Sequence, residues 1–181
     1  MPLPPPENYL IVAPPAYVGS APLNQFIAHK QAHGFNVLTY NVPTGSTTQS
    51  IKTYIQNLWN SASKPKYILI VGDTSGSTST NTTIPHWTGL GSKHASTDIY
   101  YACMDPNDDW FPDIAIGRFA ISSAAELQTI VNKTILVESG SFSDPNYVKR
   151  VALLANSDTY NTAEPTDEWV ISTYLTPNGY I

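Results

Sequence analysis

The sequence predicts an α/β fold, a three-layer sandwich in which a mostly parallel sheet is flanked by helices. Three observations predict it. Short, wholly apolar runs, Tyr9-Leu10-Ile11-Val12-Ala13 and Tyr67-Ile68-Leu69-Ile70-Val71, suit strands buried on both faces. Between them lie segments whose apolar residues recur at helical spacing. The two kinds alternate, which calls for crossover connections and therefore parallel strands.

The elements follow in order. The first strand, 9–13, ends at Pro14-Pro15. A helix over 22–33 carries Leu23, Phe26 and Ile27 on one side and stops at Gly34, where a left-handed residue closes many helices. The second strand covers 36–40. The helix over 47–62 has the clearest stripe, with Ile51, Tyr54, Ile55, Leu58 and Trp59 at i, i+3, i+4, i+7 and i+8. The third strand is 67–71. Residues 73–97 are rich in Ser, Thr, Gly, Asn and Pro, and a loop this long inside a compact domain is functional or mobile. A short strand is expected within 98–104 and another at 114–119. Ser123 and Glu126 form a capping box that starts a helix with Leu127, Ile130, Val131 and Ile135 on its core face. The polar stretch 139–146 is a linker. Beyond it the sequence predicts a strand at 151–155, a helix over 165–174, and the start of a strand at Tyr180-Ile181.

Composition narrows the function. Of 181 residues 41% are hydrophobic, enough for a real core, while 13% are charged, which favours a secreted protein over a cytosolic one. The net charge is −5 and no basic run exists, so nucleic acid is a poor partner. No apolar stretch approaches the length of a membrane span. The opening MPLPPP lacks a basic region followed by an apolar run, so an export signal would lie upstream of this chain. Cys103 is the single cysteine and has no internal disulfide partner.

Open parallel sheets bind ligands outside the carboxyl ends of their strands. Asp73 and Asp158 each follow a predicted strand, as site residues or as ordinary turn and cap residues. Asp105-Pro106-Asn107-Asp108-Asp109-Trp110-Phe111-Pro112-Asp113 is denser. Four carboxylates in nine residues repel unless water or a cation neutralises them. The alternating oxygen donors at 105, 107 and 109 have calcium-loop spacing. Trp110 stands where an EF-hand needs Gly, so the segment is either another kind of cation loop or a solvated acidic turn. Cys103 with His86 or His94 makes a weak nucleophile–base pair; a small buried apolar role suits the cysteine better. His29 and His33 have the i, i+4 spacing of a metal pair, but without a third ligand nearby they read as a packed or exposed helix face.

Taken in order, the motifs Tyr67-Ile68-Leu69-Ile70-Val71-Gly72-Asp73, Ile84-Pro85, Thr97-Asp98-Ile99-Tyr100-Tyr101, Asp109-Trp110-Phe111-Pro112-Asp113, Gly117-Arg118-Phe119 and Glu126-Leu127 resemble the gingipains, a family of cysteine peptidases. The resemblance runs from Tyr9 through Gly179. It implies a caspase-like fold with a first subdomain over 1–147 and the start of a second, catalytic subdomain over 148–181. The family's catalytic histidine and cysteine would lie beyond Ile181, and protein or peptide substrates would bind through that missing half. Asp158 matches the acid that orients the histidine. The resemblance also implies structural calcium (Ca2+), held by Asp73, Asp109, the Phe111 carbonyl and Asp113, with Asp105 or Asn107 completing the shell. That arrangement requires Asp73 to face the acidic stretch. The implied protein is a secreted or cell-surface cysteine endopeptidase. Alternatives are a non-catalytic α/β binding module and a transpeptidase of the same family that processes exported proteins.

Overall fold

The computed structural model describes residues 6–89, 95–105 and 111–180. The chain forms two compact units, Met1–Ile135 and Leu136–Ile181, so the division falls twelve residues before the boundary expected at Tyr147.

The first unit is built on β1 (Asn8–Ala13), α1 (Ala21–Ala32), β2 (Asn36–Asn41), α2 (Thr48–Trp59) and β3 (Pro65–Val71). Four small strands follow in the long polar segment: β4 (Asp73–Ser75) pairs β5 (Thr83–Pro85), and β6 (Trp87–Thr88) pairs β7 (Ser96–Thr97). β8 (Ala115–Phe119) and α3 (Ala124–Ser139) as far as Ile135 complete it. The main sheet has the order β2-β1-β3-β8, and every pair in it is parallel.

Strand alternation makes the three layers. Leu10, Val12, Ile68 and Ile70 face one side and pack with Ile51 and Ile55 of α2. Ile11, Ala13, Leu69 and Val71 face the other and pack with Leu23 and Phe26 of α1 and Leu127 and Val131 of α3. The helix ends obey local chemistry. Thr47 Oγ1 accepts the Ser50 amide at 3.1 Å and caps α2. Gly34, at φ +86°, closes α1, with the Phe35 amide reaching back to the Lys30 carbonyl at 3.2 Å. Ser123 Oγ accepts the Glu126 amide at 3.3 Å, while the Glu126 carboxylate accepts from Ser122 at 2.6 Å, one residue further back than a capping box.

The strand expected within 98–104 is not there. Ile99–Tyr101 is a 3₁₀ turn instead. β8 occupies the free edge of β3, so this segment has no ladder to join. It tucks Tyr101, Ala102 and Met104 into the α2 side of the core, and Lys52 of α2 donates to the Cys103 carbonyl.

The second unit contains the end of α3, a 3₁₀ turn at Tyr147–Lys149 and α4 (Tyr160–Val170), which widens at Ile171–Leu175 and closes at Gly179. α4 begins five residues before the expected start, so Pro165 sits inside it. The strand predicted at 151–155 is absent, and so is strand structure at Tyr180; Ile181 lies outside the described residues. Strands exist by pairing, and no partner strand is present among the described residues of this unit. Leu154 is 94% exposed, and no described residue of the second unit is buried.

Tyr101 is fully buried and donates from its hydroxyl to the Pro85 carbonyl at 2.7 Å. Burial pushes this phenol above its usual value of 10.0; the Arg118 charge opposes that shift and the Asp98 charge adds to it. An acid whose folded value is raised ionises first in the unfolded chain, so the stability present below the usual value is lost as pH rises past it. The melting temperature is expected to fall above pH ~10. Tyr101→Phe should flatten that fall and cost about 1–3 kcal/mol at pH 7, because the Pro85 carbonyl loses its donor. Denaturant titrations of both proteins at pH 7 and above pH 10 check it, and equal slopes in the two would count against it.

Candidate functional site

A polar cluster sits at the carboxyl end of the main sheet, on Arg118. This residue registers with Ile70 across the β3–β8 pair. Its Nε and Nη2 donate to the two carboxylate oxygens of Asp98, each at 2.7 Å. Its Nη1 donates to the carbonyls of Gly72 at 2.9 Å, Ile84 at 3.2 Å and Asp73 at 3.3 Å. The Arg118 side chain is 9% exposed and that of Asp98 23%. One guanidinium therefore joins β8, the exit of β3, β5 and the turn that starts at Asp98. The planar fork of arginine allows this bidentate bond with a third nitrogen left for carbonyls.

Gly72 is part of the same construction. Its φ is +109°, and a Cβ there would lie 2.7 Å from the Thr82 carbonyl. Only glycine lets the chain leave β3 in this direction. Asp73 follows, its amide bound to the Ile121 carbonyl at 2.9 Å and its Oδ1 accepting the Thr74 amide at 2.7 Å.

The expected metal residues fall in different places. Asp113 lies just before β8, at the amino end of the sheet. Its amide donates to the Ala102 carbonyl at 2.9 Å, and its carboxylate accepts the Met104 amide at 2.7 Å, which draws it beside Asp105. Phe111 is 82% exposed. Asn107 and Asp109 lie outside the described residues. Asp73 is elsewhere. Tyr67 pairs with Ala115 and Val71 with Phe119, so Asp113 is level with Pro65 while Asp73 lies past Val71. The length of β3 separates them, roughly 20 Å at the ~3.3 Å rise of a strand. Calcium–oxygen distances are about 2.3–2.6 Å, so one ion does not reach both carboxylates. The required meeting of Asp73 with the acidic stretch is thus not made with Asp113. Among the described residues no group of three His, Cys, Asp or Glu converges as a metal cage.

Asp158 is exposed, in a turn ahead of α4. Cys103 is buried, with Sγ donating to the Ile99 carbonyl at 3.4 Å, in keeping with a packing role. His86 Nδ1 is buried without a hydrogen-bond partner among the described residues, and His94 lies outside them. His29 and His33 stand together, ring centroids 4.3 Å apart. The Arg118–Asp98 pair was not singled out from the sequence. Both residues belong to the quoted motifs, but nothing in the linear spacing says that they touch.

Comparison with known proteins decides the family. The profile of peptidase family C25 matches residues 3–178. The chain belongs to peptidase family C25. It is similar to Lys-gingipain from Porphyromonas gingivalis, 29% identical over 145 residues, covering 76% of this chain and 8% of that protein. Lys-gingipain W83 from the same species is 28% identical over 169 residues, covering 87% of this chain and 9% of that protein. The chain therefore spans less than a tenth of the length of these relatives. No solved structure matches it. Within this C25 chain the match takes in Gly72-Asp73, Asp98 and Gly117-Arg118, the residues that build the arginine cluster.

Arg118→Lys keeps the charge but loses the bidentate fork and the carbonyl contacts. It is expected to destabilise the first unit by about 3 kcal/mol, the low end for breaking a buried pair, because Asp98 is partly exposed. Urea unfolding of the variant measures this, and a loss below about 0.5 kcal/mol, the size of an ordinary surface substitution, would remove the arginine from its structural role.

Proposed function

We propose that this chain is the amino-terminal part of a secreted, gingipain-like cysteine endopeptidase. The observation that carries the reading is the family match across 3–178, supported by the α/β sandwich. The nucleophilic cysteine and its histidine base are supplied by sequence following Ile181, and Asp158 orients that histidine. The first unit acts as a scaffold for the catalytic half. Its own thiol is buried and hydrogen-bonded to a backbone carbonyl, an arrangement suited to packing rather than attack. No helix among the described residues is long and apolar enough to cross a membrane, which is compatible with release from the cell.

A structural calcium ion belongs to the same proposal, in a reduced form. The donors are Asp105, Asn107, Asp109, the Phe111 carbonyl and Asp113, with water completing the shell. The bond from the Met104 amide to Asp113 favours this set, since it draws the last acid back beside the first. Asp73 is left out because the sheet holds it at the opposite end. Oxygen donors of this kind suit a hard cation.

Two outcomes follow. The 181-residue chain alone should not cleave peptides, whereas the chain extended through the following histidine and cysteine should. Cys103→Ser should leave the activity of the extended protein unchanged, and an inactive Cys103→Ser protein that still folds would overturn the assignment. In thermal melts, calcium at about ten times its dissociation constant should add roughly 1.4 kcal/mol, about 3–5 °C for a chain of this size. Asp109→Asn or Asp113→Asn should remove most of that rise and Asp73→Asn none of it. A rise that depends on Asp73 would restore the larger ligand set.

A further inference from the structure

A cleft of about 460 Å³ opens at the amino end of the main sheet, the end away from the arginine cluster. Small-molecule sites typically measure about 300–1,000 Å³, so this one suits a small ligand. Its walls come from the entries to β1 and β3, the last residue of α2 and the approach to β8. Pro6, Trp59 and Pro65 give it apolar surface, and Glu7, Lys64, Lys66 and Asp113 give it charge. The walls are held in place. Asn8, also in the lining, donates from Nδ2 to the Lys64 carbonyl at 3.1 Å and accepts from Asn36 Nδ2 at 2.6 Å, which ties the strand entries together. The two proline rings fix their own backbone angles. A site set before its ligand arrives loses little entropy on binding.

The charges of the cleft do not all cancel within it. Lys66 pairs with Glu7. Lys64 makes no ion pair among the described residues; its Nζ rests over the Trp59 ring, 3.4 Å from the centroid. An aromatic face compensates an ammonium only in part, because the three N–H donors still lack oxygen acceptors. Asp113 accepts the Met104 amide with one carboxylate oxygen, which leaves the second for another donor. One cation and one anion therefore stand beside an apolar wall. A ligand with one carboxylate, one ammonium and an apolar side chain complements all three.

We propose that this cleft binds a small zwitterion with an apolar side chain, an amino acid or a dipeptide. The ligand carboxylate takes the Lys64 ammonium, the ligand ammonium takes Asp113, and the side chain lies against Trp59 and the two prolines. The flexible lysine stem swings from the indole to the carboxylate and uncovers the ring. Apolar contact supplies affinity, and the two charge-assisted hydrogen bonds select a ligand whose ends are free. Calcium on the acidic stretch would compete for Asp113, so the two ligands oppose each other at that residue.

Nitrogen–proton spectra of the 181-residue chain test it, with a chelator present to keep calcium from Asp113. The chain is titrated with phenylalanine and, separately, with leucyl-phenylalanine. At least one of them is expected to shift the Trp59 indole signal saturably while those of Trp87 and Trp169 stay, and the tighter of the two gives the size of the ligand. Amidating its carboxyl group or acetylating its amino group should each weaken binding about fivefold, the size of an exposed charge pair. Lys64→Gln should weaken the zwitterion by a similar factor and leave the amidated form unaffected. Asp113→Asn should weaken the zwitterion likewise and leave the acetylated form unaffected. Lys64 is exposed, and Asn at 113 keeps an oxygen for the Met104 amide, so both variants should fold, which circular dichroism verifies. Absence of a saturable shift at millimolar ligand, or an affinity that either substitution leaves unchanged, overturns the proposal.

Discussion

A charged guanidinium held almost wholly out of water constrains everything around it. Arg118 has only 9% of its side chain exposed, so each of its donors must be matched or the fold loses free energy. Asp98 matches two and the carbonyls of Gly72, Asp73 and Ile84 match the third nitrogen. These partners come from three separate stretches of chain. None has a large apolar face of its own, and the small paired strands in the polar segment are only two or three residues long. Without the arginine they would rely on isolated short ladders, which are marginal in water. The cluster thus orders the loops at the carboxyl end of the sheet, where open α/β folds present their working residues.

The polarity of the parallel sheet then separates two kinds of acid. Asp73 belongs to the carboxyl end and to the arginine cluster. Asp105 and Asp113 belong to the amino end, tied together through Met104 and Ala102. Parallel strands allow no local return from one end to the other, so residues that leave β3 and residues that enter β8 are held a strand length apart. The same rule keeps Asp113 away from Asp73 and the arginine cluster.

The two units differ in how they meet their hydrophobic needs. The first has both faces of its sheet covered, by α2 on one side and by α1 and α3 on the other. The second leaves Val148, Leu154, Trp169 and Tyr174 in contact with solvent, although its sequence has the same apolar runs. Phe142 stacks on Tyr147 and Trp169 meets Tyr174 edge-on, but such pairs do not make a core. An apolar strand segment becomes a strand only when another strand offers its hydrogen bonds.

The sequence by itself determined the parts that depend on local chemistry. Apolar runs set β1 and β3, a helical stripe set α2, and Gly34 and Ser123 set where α1 stops and α3 starts, because burial and end-capping act over a few residues. The order of motifs was also enough to indicate the family. Other features were decided by tertiary structure. The turn at Ile99–Tyr101 replaced a strand because β8 had taken the edge. The helix α4 ran through Pro165, and the run 151–155 stayed unpaired. Asp73 parted from Asp113, and Arg118 found Asp98, because contacts across a sheet depend on strand order and direction. Those are properties of the assembled layers, and no spacing along the chain encodes them.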